Sequence, residues 1–287
     1  MFRYRCPLRW SDLDAQGHVN NALLIDYLQE ARVAFLATNP DSTLLHDGLV
    51  VVGHRIAYRR PVSYSHSGVD IELGTVKVGG ARYELGYRLT QDGVHVADAR
   101  TVLCPFDFAS QRPVRLTPGD REFFSSQVGD FDELPPVLAP RLRGRGEPIE
   151  IAVRWSDLDR YGHVNNAVVF DYLQQARVES TTRWDPSMAR MGAGEEERMW
   201  LVAQQDVDYV AQIPHRLEPF VVLTAPVRVG RTSLTLAAEM IDPCSPTVFI
   251  RGRTVLVCAD GEGRPTPLPD DTRALLSARV VGGDPHH

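Results

Sequence analysis

Leu24, Tyr27, Leu28, Ala31 and Phe35 return at steps of three and four residues, the spacing that collects side chains on one helix face. Asp26, Gln29, Glu30 and Arg32 fall on the other side, and Asn39-Pro40 follows as a stop. The pattern predicts an amphipathic helix over residues 22–38. A short strand over residues 2–9 precedes it, and a loop over 41–48 leads to a β-rich run over 49–60. The period then changes to two. Val69, Ile71 and Leu73 alternate with Asp70, Glu72 and Gly74; Tyr83, Leu85, Tyr87 and Leu89 alternate with Glu84, Gly86 and Arg88. Residues 94–106 form one more such run, and Gly79-Gly80 and Asp92-Gly93 mark hairpin turns between these strands. One early helix followed by an antiparallel meander is an α+β arrangement. Thr117-Pro118-Gly119-Asp120 then opens a short helix, with Thr117 as cap and Pro118 in the first turn.

The same pattern occurs a second time. From Arg9 to Arg32, 18 of 24 positions are identical to those 145 residues further on. Tyr58 matches Tyr209, Val76 matches Val227 and Gly79 matches Gly230 at an offset of 151, and Arg100-Thr101-Val102-Leu103 matches Arg253-Thr254-Val255-Leu256 at 153. The growing offset places insertions in the second copy around residues 191–199 and 241–247, and the trailing helix recurs over 269–277. Residues 130–148 include Pro135-Pro136 and Arg141-Leu142-Arg143-Gly144-Arg145. That composition reads as a linker, and its basic cluster as a solvated run. The chain therefore divides into an N-terminal repeat (1–129), a linker (130–148), a C-terminal repeat (149–280) and a tail (281–287). Two copies suggest a homodimer whose subunits became fused, an intramolecular pseudo-dimer that can associate further as a homo-oligomer.

Composition narrows the class. At 43% hydrophobic and 24% charged over 287 residues, the chain can build ordinary globular cores. Its net charge of −6 argues against a general nucleic-acid footprint. No apolar run approaches the length of a membrane span, and the N-terminus lacks the apolar core of a signal peptide. Cys6, Cys104, Cys244 and Cys258 show no metal spacing, and His286-His287 carries no metal pattern either. Free thiols in a reducing, cytoplasmic setting are the simplest expectation.

Candidate chemistry concentrates in the repeated stretch Arg9-Trp10-Ser11-Asp12-Leu13-Asp14-Ala15-Gln16-Gly17-His18-Val19-Asn20-Asn21 and its copy from Arg154 to Asn166. Each copy runs into the predicted helix, whose first N–H groups favour negative charge. Asp14 and Asp159 can attack a carbonyl or activate a water. His18 and His163 can orient that carboxylate, protonate a leaving group or hold the turn. The amides of Val19 to Asn21 can stabilise an oxyanion. The same residues also make a good structural turn, since Asp, Asn and Gly are turn and cap formers. Asn20 and Asn165 are read as caps beside the substrate, Asp12 and Asp157 as turn supports, and Trp10 and Trp155 as packing residues. Arg59 and Arg60, absent from the second copy, are either exposed strand-end charges or contacts for a phosphate-bearing carrier. Ser233 is a candidate hydrogen-bonding group for the same carrier.

The order strand, Asp-x-Asp-x-x-Gly-His-Val-Asn-Asn, long helix, antiparallel meander resembles the hotdog-fold thioesterases, both the 4-hydroxybenzoyl-CoA thioesterase-like branch and the acyl-ACP thioesterases of plants. The resemblance covers both halves. It implies a double hotdog, each repeat a long central helix wrapped by a curved antiparallel sheet, with two pseudo-equivalent sites at the interface between repeats. It implies an acyl-CoA thioesterase acting on a fatty or aromatic acyl group, with acyl-ACP as the other carrier and no metal or redox cofactor. The family's catalytic carboxylate falls on Asp14 and Asp159, and its histidine on His18 and His163. The plant enzymes carry Asn where this chain has Gln16 and Tyr161, which leaves a third catalytic side chain unassigned. Two competing readings stand beside this one. A non-catalytic acyl-CoA or lipid-binding protein would use the same fold. A hydratase would need an Asp-x-Asn-Pro-x-His arrangement, and Asp14 is followed by Ala15-Gln16-Gly17-His18 instead.

Overall fold

The change of hydrophobic period along the chain becomes a change of element in space. A computed structural model describes residues 1–14, 17–189 and 198–282. Gln16, most of the expected insertion at 191–199, and the expected tail beyond Gly282, with His286 and His287, lie outside the described residues. The chain forms two compact units, Met1–Pro135 and Pro136–His287.

The first unit contains β1 (Phe2–Cys6), α1 (Leu23–Leu36), α2 (Leu44–Asp47), β2 (Leu49–Tyr58), β3 (Val69–Val78), β4 (Tyr83–Gln91), β5 (Val94–Asp107), β6 (Arg112–Pro113) and α3 (Pro118–Ser126). Its strands pair antiparallel in the order β1-β3-β4-β5-β2, with β6 on the end of β5. The β4–β5 turn has Asp92 and Gly93 at φ of 51° and 78°, the left-handed pair that a two-residue hairpin needs. Alternation then does what it predicted: Tyr83, Leu85, Tyr87 and Leu89 of β4 are all buried. Leu24, Ile25, Leu28, Ala31 and Phe35 of α1 are buried with them. Thr117 caps α3 by accepting the Asp120 N–H at 3.0 Å, and Phe124 of that helix stacks on Tyr83 at 3.9 Å between ring centroids.

The second unit repeats the plan with β7 (Glu147–Ile151), α4 (Val168–Trp184), β8 (Arg198–Tyr209), β9 (Phe220–Val229), β10 (Ser233–Ile241), β11 (Val248–Asp260) and α5 (Asp270–Ser277). Its antiparallel order is β7-β9-β10-β11-β8. Both units are thus α+β.

Several local expectations change. β1 stops at Cys6 rather than at residue 9, because Pro7 has no N–H for the ladder. The expected loop at 41–48 holds one helical turn, α2. Arg32, placed on the polar side of α1, is only 5% exposed. It lies four residues after Leu28 and three before Phe35, so its stem continues the buried stripe. The linker is not simply solvated. Arg100 donates to the main-chain oxygens of Phe131 and Asp132, and Leu142 is fully buried against Leu223, Ala225 and Ala237. Arg141, Arg143 and Arg145 around it remain exposed.

Leu28 is fully buried at the middle of α1. Leu28→Ala is expected to cost about 2–5 kcal/mol through lost transfer energy and the cavity left behind. A denaturant titration of the variant beside the parent checks it.

Candidate functional site

A carboxylate, buried in the first copy and half-buried in the second, builds the repeated turn. Trp10–Asp12 forms a single 3-10 turn in which the Asp12 N–H donates to the Arg9 oxygen at 3.0 Å. The Arg9 N–H returns a bond to Asp12 Oδ2 at 2.8 Å, and Tyr27 of α1 donates its hydroxyl to the same oxygen at 2.6 Å. The second copy places Asp157 between the Arg154 N–H at 2.8 Å and the Tyr172 hydroxyl at 2.5 Å. Burial, and then the carboxylate at the hydroxyl, push the pKa of both tyrosines up. Asp26, on the first turn of α1, is also raised, chiefly by burial.

The next residues double back. Asp14 N–H donates to the His18 oxygen at 2.7 Å, Gly17 N–H to the Asp14 oxygen at 3.0 Å, and His18 N–H to Asp14 Oδ1 at 3.3 Å. The corresponding bonds of Asp159, Gly162 and His163 measure 2.8, 3.1 and 3.3 Å. Gly17 and Gly162 stand at φ of 76° and 78°, where a side chain is disfavoured. His18 then pairs with Ser63, and His163 with Pro214, as isolated bridges. So Asp14 and His18 do meet, but through the main chain of His18. The His18 ring makes no hydrogen bond among the described residues.

The helix start is closed by the motif's own groups. Asn20 Oδ1 accepts the Ala22 N–H at 3.0 Å and Asn165 Oδ1 the Ala167 N–H at 3.1 Å, local turns of the Asx kind. The cap positions themselves are Ala22 and Ala167, without a side-chain cap bond, so the asparagines expected as caps brace the turn before the helix instead. The Val19 and Asn20 amides, expected to be oxyanion donors, are already committed to Val62 O at 2.8 Å and Asp12 O at 2.9 Å. Val164 and Asn165 are committed in the same way, at 3.0 and 2.8 Å. Asn21 is left as the amide of that stretch that donates to no group among the described residues. Its carbonyl accepts the Tyr58 hydroxyl at 3.0 Å, and that of Asn166 accepts the Tyr209 hydroxyl at 2.6 Å.

Sequence reasoning missed the roles of Tyr27, Tyr58 and Gln91. The Gln91 side chain clasps Ser63 through both its main-chain groups, at 3.1 and 2.7 Å. Recurrence of the tyrosines at Tyr172 and Tyr209 was the available signal. Trp10 and Trp155 are not packed inside; they are 73% and 77% exposed. A 3-10 turn points its three side chains in three directions, and Asp12 takes the inward one. Each Trp meets one ring edge-on at 5.4 Å, Tyr64 in the first copy and His215 in the second.

Arg59 and Arg60 directly follow Tyr58, and both amides donate to Val96 O, so they lie at the motif end of the first sheet. The Arg59 guanidinium pairs with Asp98 at 3.1 Å, whose other oxygen is 2.9 Å from His95. Arg60 is exposed. Ser233 instead closes the β9–β10 turn, its oxygen accepting the Gly230 N–H at 2.7 Å. It is far from the motif, because Met240 faces Val222 in the row that reaches Tyr209 through Ile250. Seven strand residues separate Ser233 from that row, roughly 24 Å. No cluster of three or more metal-ligating side chains occurs among the described residues, and no described helix is long and apolar enough to cross a membrane.

The sequence matches the Thioesterase-like superfamily over residues 8–142 and again over 153–276. The chain belongs to this superfamily. Among its relatives is the 1,4-dihydroxy-2-naphthoyl-CoA hydrolase of Synechococcus elongatus, 32% identical over 125 residues, which are 40% of this chain and 91% of that protein. The uncharacterized protein YsmA of Bacillus subtilis is 32% identical over 88 residues, 30% of this chain and 55% of YsmA. The thioesterase-like fold also matches an acyl-ACP thioesterase from Bacteroides thetaiotaomicron, with TM-score 0.66 at 14% identity over 89% of this chain and 97% of that one. The 12:0-ACP thioesterase from Umbellularia californica gives 0.68 at 15% identity over 90% and 94%. At such identities the likeness speaks to the fold alone, which is hotdog-like, with extensive antiparallel sheet and few helices.

Gly17→Ala and Gly162→Ala are each expected to cost about 1–2 kcal/mol, because the left-handed backbone penalises a Cβ although nothing lies within 4 Å of either position. Equilibrium unfolding of the single variants checks this. The raised tyrosines set an alkaline limit. Their contribution is complete below the unfolded value near 10 and is lost as pH rises beyond it. Tyr27→Phe and Tyr172→Phe should therefore lower stability at pH 8 and flatten its fall toward pH 11, read by unfolding at each pH.

Proposed function

We propose that this protein hydrolyses an acyl-CoA thioester to a free acid and CoA. The observation that carries the reading is the Asp14 turn, built twice with the same hydrogen bonds at the start of a helix in a thioesterase-like chain. Asp14 and Asp159 serve as nucleophile or general base toward the thioester carbonyl. Their carboxylates accept the main-chain N–H of His18 and His163, and the imidazoles of these two residues serve as the acids that protonate the departing thiolate. Asn20 and Asn165 fix the helix start beside the substrate. The Asn21 amide is the oxyanion donor in the first copy.

Arg60, and Arg59 in exchange with Asp98, contact the carrier's phosphates at the motif end of the first sheet. Ser233 belongs to the second copy's carrier contacts only if the pantetheine arm runs along β10. The Synechococcus relative acts on a CoA thioester with an aromatic acyl group, which favours CoA over ACP as carrier and an aromatic over a plain fatty acyl group. The architecture we assign is a double hotdog, with repeats 1–129 and 149–280, a long helix wrapped by a curved sheet in each, and 130–148 as connection. Cys6, Cys104, Cys244 and Cys258 are all free thiols, in keeping with a reducing, cytoplasmic location.

Free-thiol release from a panel of acyl-CoAs, short, long and aromatic, tests the reaction. The Asp14→Asn/Asp159→Asn double variant is expected to lose turnover by a factor on the order of 10²–10⁴ with unchanged circular dichroism. Full turnover in that variant would remove both carboxylates from the mechanism. Tight acyl-CoA binding without thiol release by the parent protein would make it an acyl-CoA-binding protein instead.

A further inference from the structure

The second unit holds a cavity of about 230 Å³ lined by Arg141, Asp208, Glu239, Arg251 and Arg253 above Ala237. Its location follows from strand alternation. Gly252 sits against Leu173 of α4, where a Cβ would come within 2.8 Å, so Arg251 and Arg253 on either side point to the opposite face. Ala237 and Glu239 lie directly across from them in register. The linker residues 139–141 form the lip. None of these residues belongs to the Asp159 turn.

The charges in this cavity are not fully matched. Arg253 donates to Asp208 at 2.6 Å. Arg251 Nε stands 3.6 Å from Glu239 Oε1, beyond hydrogen-bond reach, and has no hydrogen-bond partner. Glu239 is 5% exposed and accepts no hydrogen bond among the described residues. A buried carboxylate needs donors as well as a nearby charge. Arg141, at the lip, is exposed.

The first copy shows what occupies this place when the chain fills it. Arg100, the counterpart of Arg253, donates to the main-chain oxygens of Phe131 and Asp132. The Phe131 ring lies 5.4 Å from the Arg100 guanidinium and directly over Gly86, where a Cβ would come within 2.7 Å of it. The counterparts of Glu239 and Arg251, at offsets of 151 and 153, are Arg88 and Asp98. The second copy therefore has a cavity where the first has its own backbone acceptors, and has a buried acid where the first has an arginine.

We infer that this cavity binds a small zwitterion of the amino-acid type, its ammonium on Glu239 and its carboxylate on Arg253 and Arg141. A simple anion would face Glu239 and Asp208, and a simple cation would face three arginines. A ligand with both charges supplies donors to the buried acid and takes the acceptor place that Phe131 and Asp132 fill in the first copy. The volume suits a ligand with a short side chain.

Isothermal titration of the full chain with glycine, alanine and phenylalanine, and with acetate and methylammonium as half-ligands, tests this. Glycine or alanine should bind, with each half-ligand weaker by about tenfold or more. Glu239→Gln and Arg141→Met should each weaken binding by a similar factor; Arg141 is exposed, so its variant keeps the test open should the Glu239 variant fold poorly. No binding of any amino acid at millimolar concentration would overturn the assignment. So would acetate binding as well as alanine, or binding unchanged in Arg141→Met and in a folded Glu239→Gln. Thiol release by the same samples is read separately, since this site and the Asp14 and Asp159 turns share no residue.

Discussion

Everything at the repeated turn depends on one carboxylate that accepts two hydrogen bonds. Asp12 holds the Arg9 amide and the Tyr27 hydroxyl on a single oxygen, and Asp157 does the same with Arg154 and Tyr172. Two donors share one acceptor oxygen, and removing either leaves that oxygen a hydrogen bond short. The pair fixes the turn to the helix that follows it. Asp14, two residues on, inherits its position from that clamp, as does the helix start that follows.

The elements were legible because their signals are local. Helical spacing, strict alternation, the Asp92-Gly93 turn and the Thr117 cap each involve residues within a few positions of one another. What escaped the sequence was pairing across distance. Tyr58 to Asn21 and Gln91 to Ser63 join residues that no periodicity links. Arg32 looked polar and is buried, since a helix stripe constrains position and not charge. Trp10 read as a packing residue beside the motif and is exposed, because the buried place in its three-residue turn goes to Asp12. The Asp-x-x-x-His spacing marked the right place. It did not reveal that the histidine's main chain makes the contact, or that two of the three expected oxyanion amides are already committed, one to Asp12 within the turn and one to Val62 beyond it.

The two copies act as controls for one another. Bonds within the turn recur within a few tenths of an ångström, whereas the flanks differ. Arg59 pairs with Asp98 in the first copy, and the second has Val210 and Ala211 after Tyr209. On the sheet faces away from the helices, Phe131 fills one unit and Leu142 anchors the linker to the other. Geometry at the carboxylates has been held fixed while the surroundings diverged, which separates what the turn requires from what each unit does with it.

The clamp between Asp12 and Tyr27 spans only 15 residues of chain, while the bridge from His18 reaches Ser63. Closing a short loop costs little entropy, and contacts near in sequence form before those far apart. Turn and helix can therefore associate early in folding and present a finished edge to the strands that arrive later. On loop length alone, the part of the molecule that carries the candidate chemistry costs less entropy to close than the sheet around it.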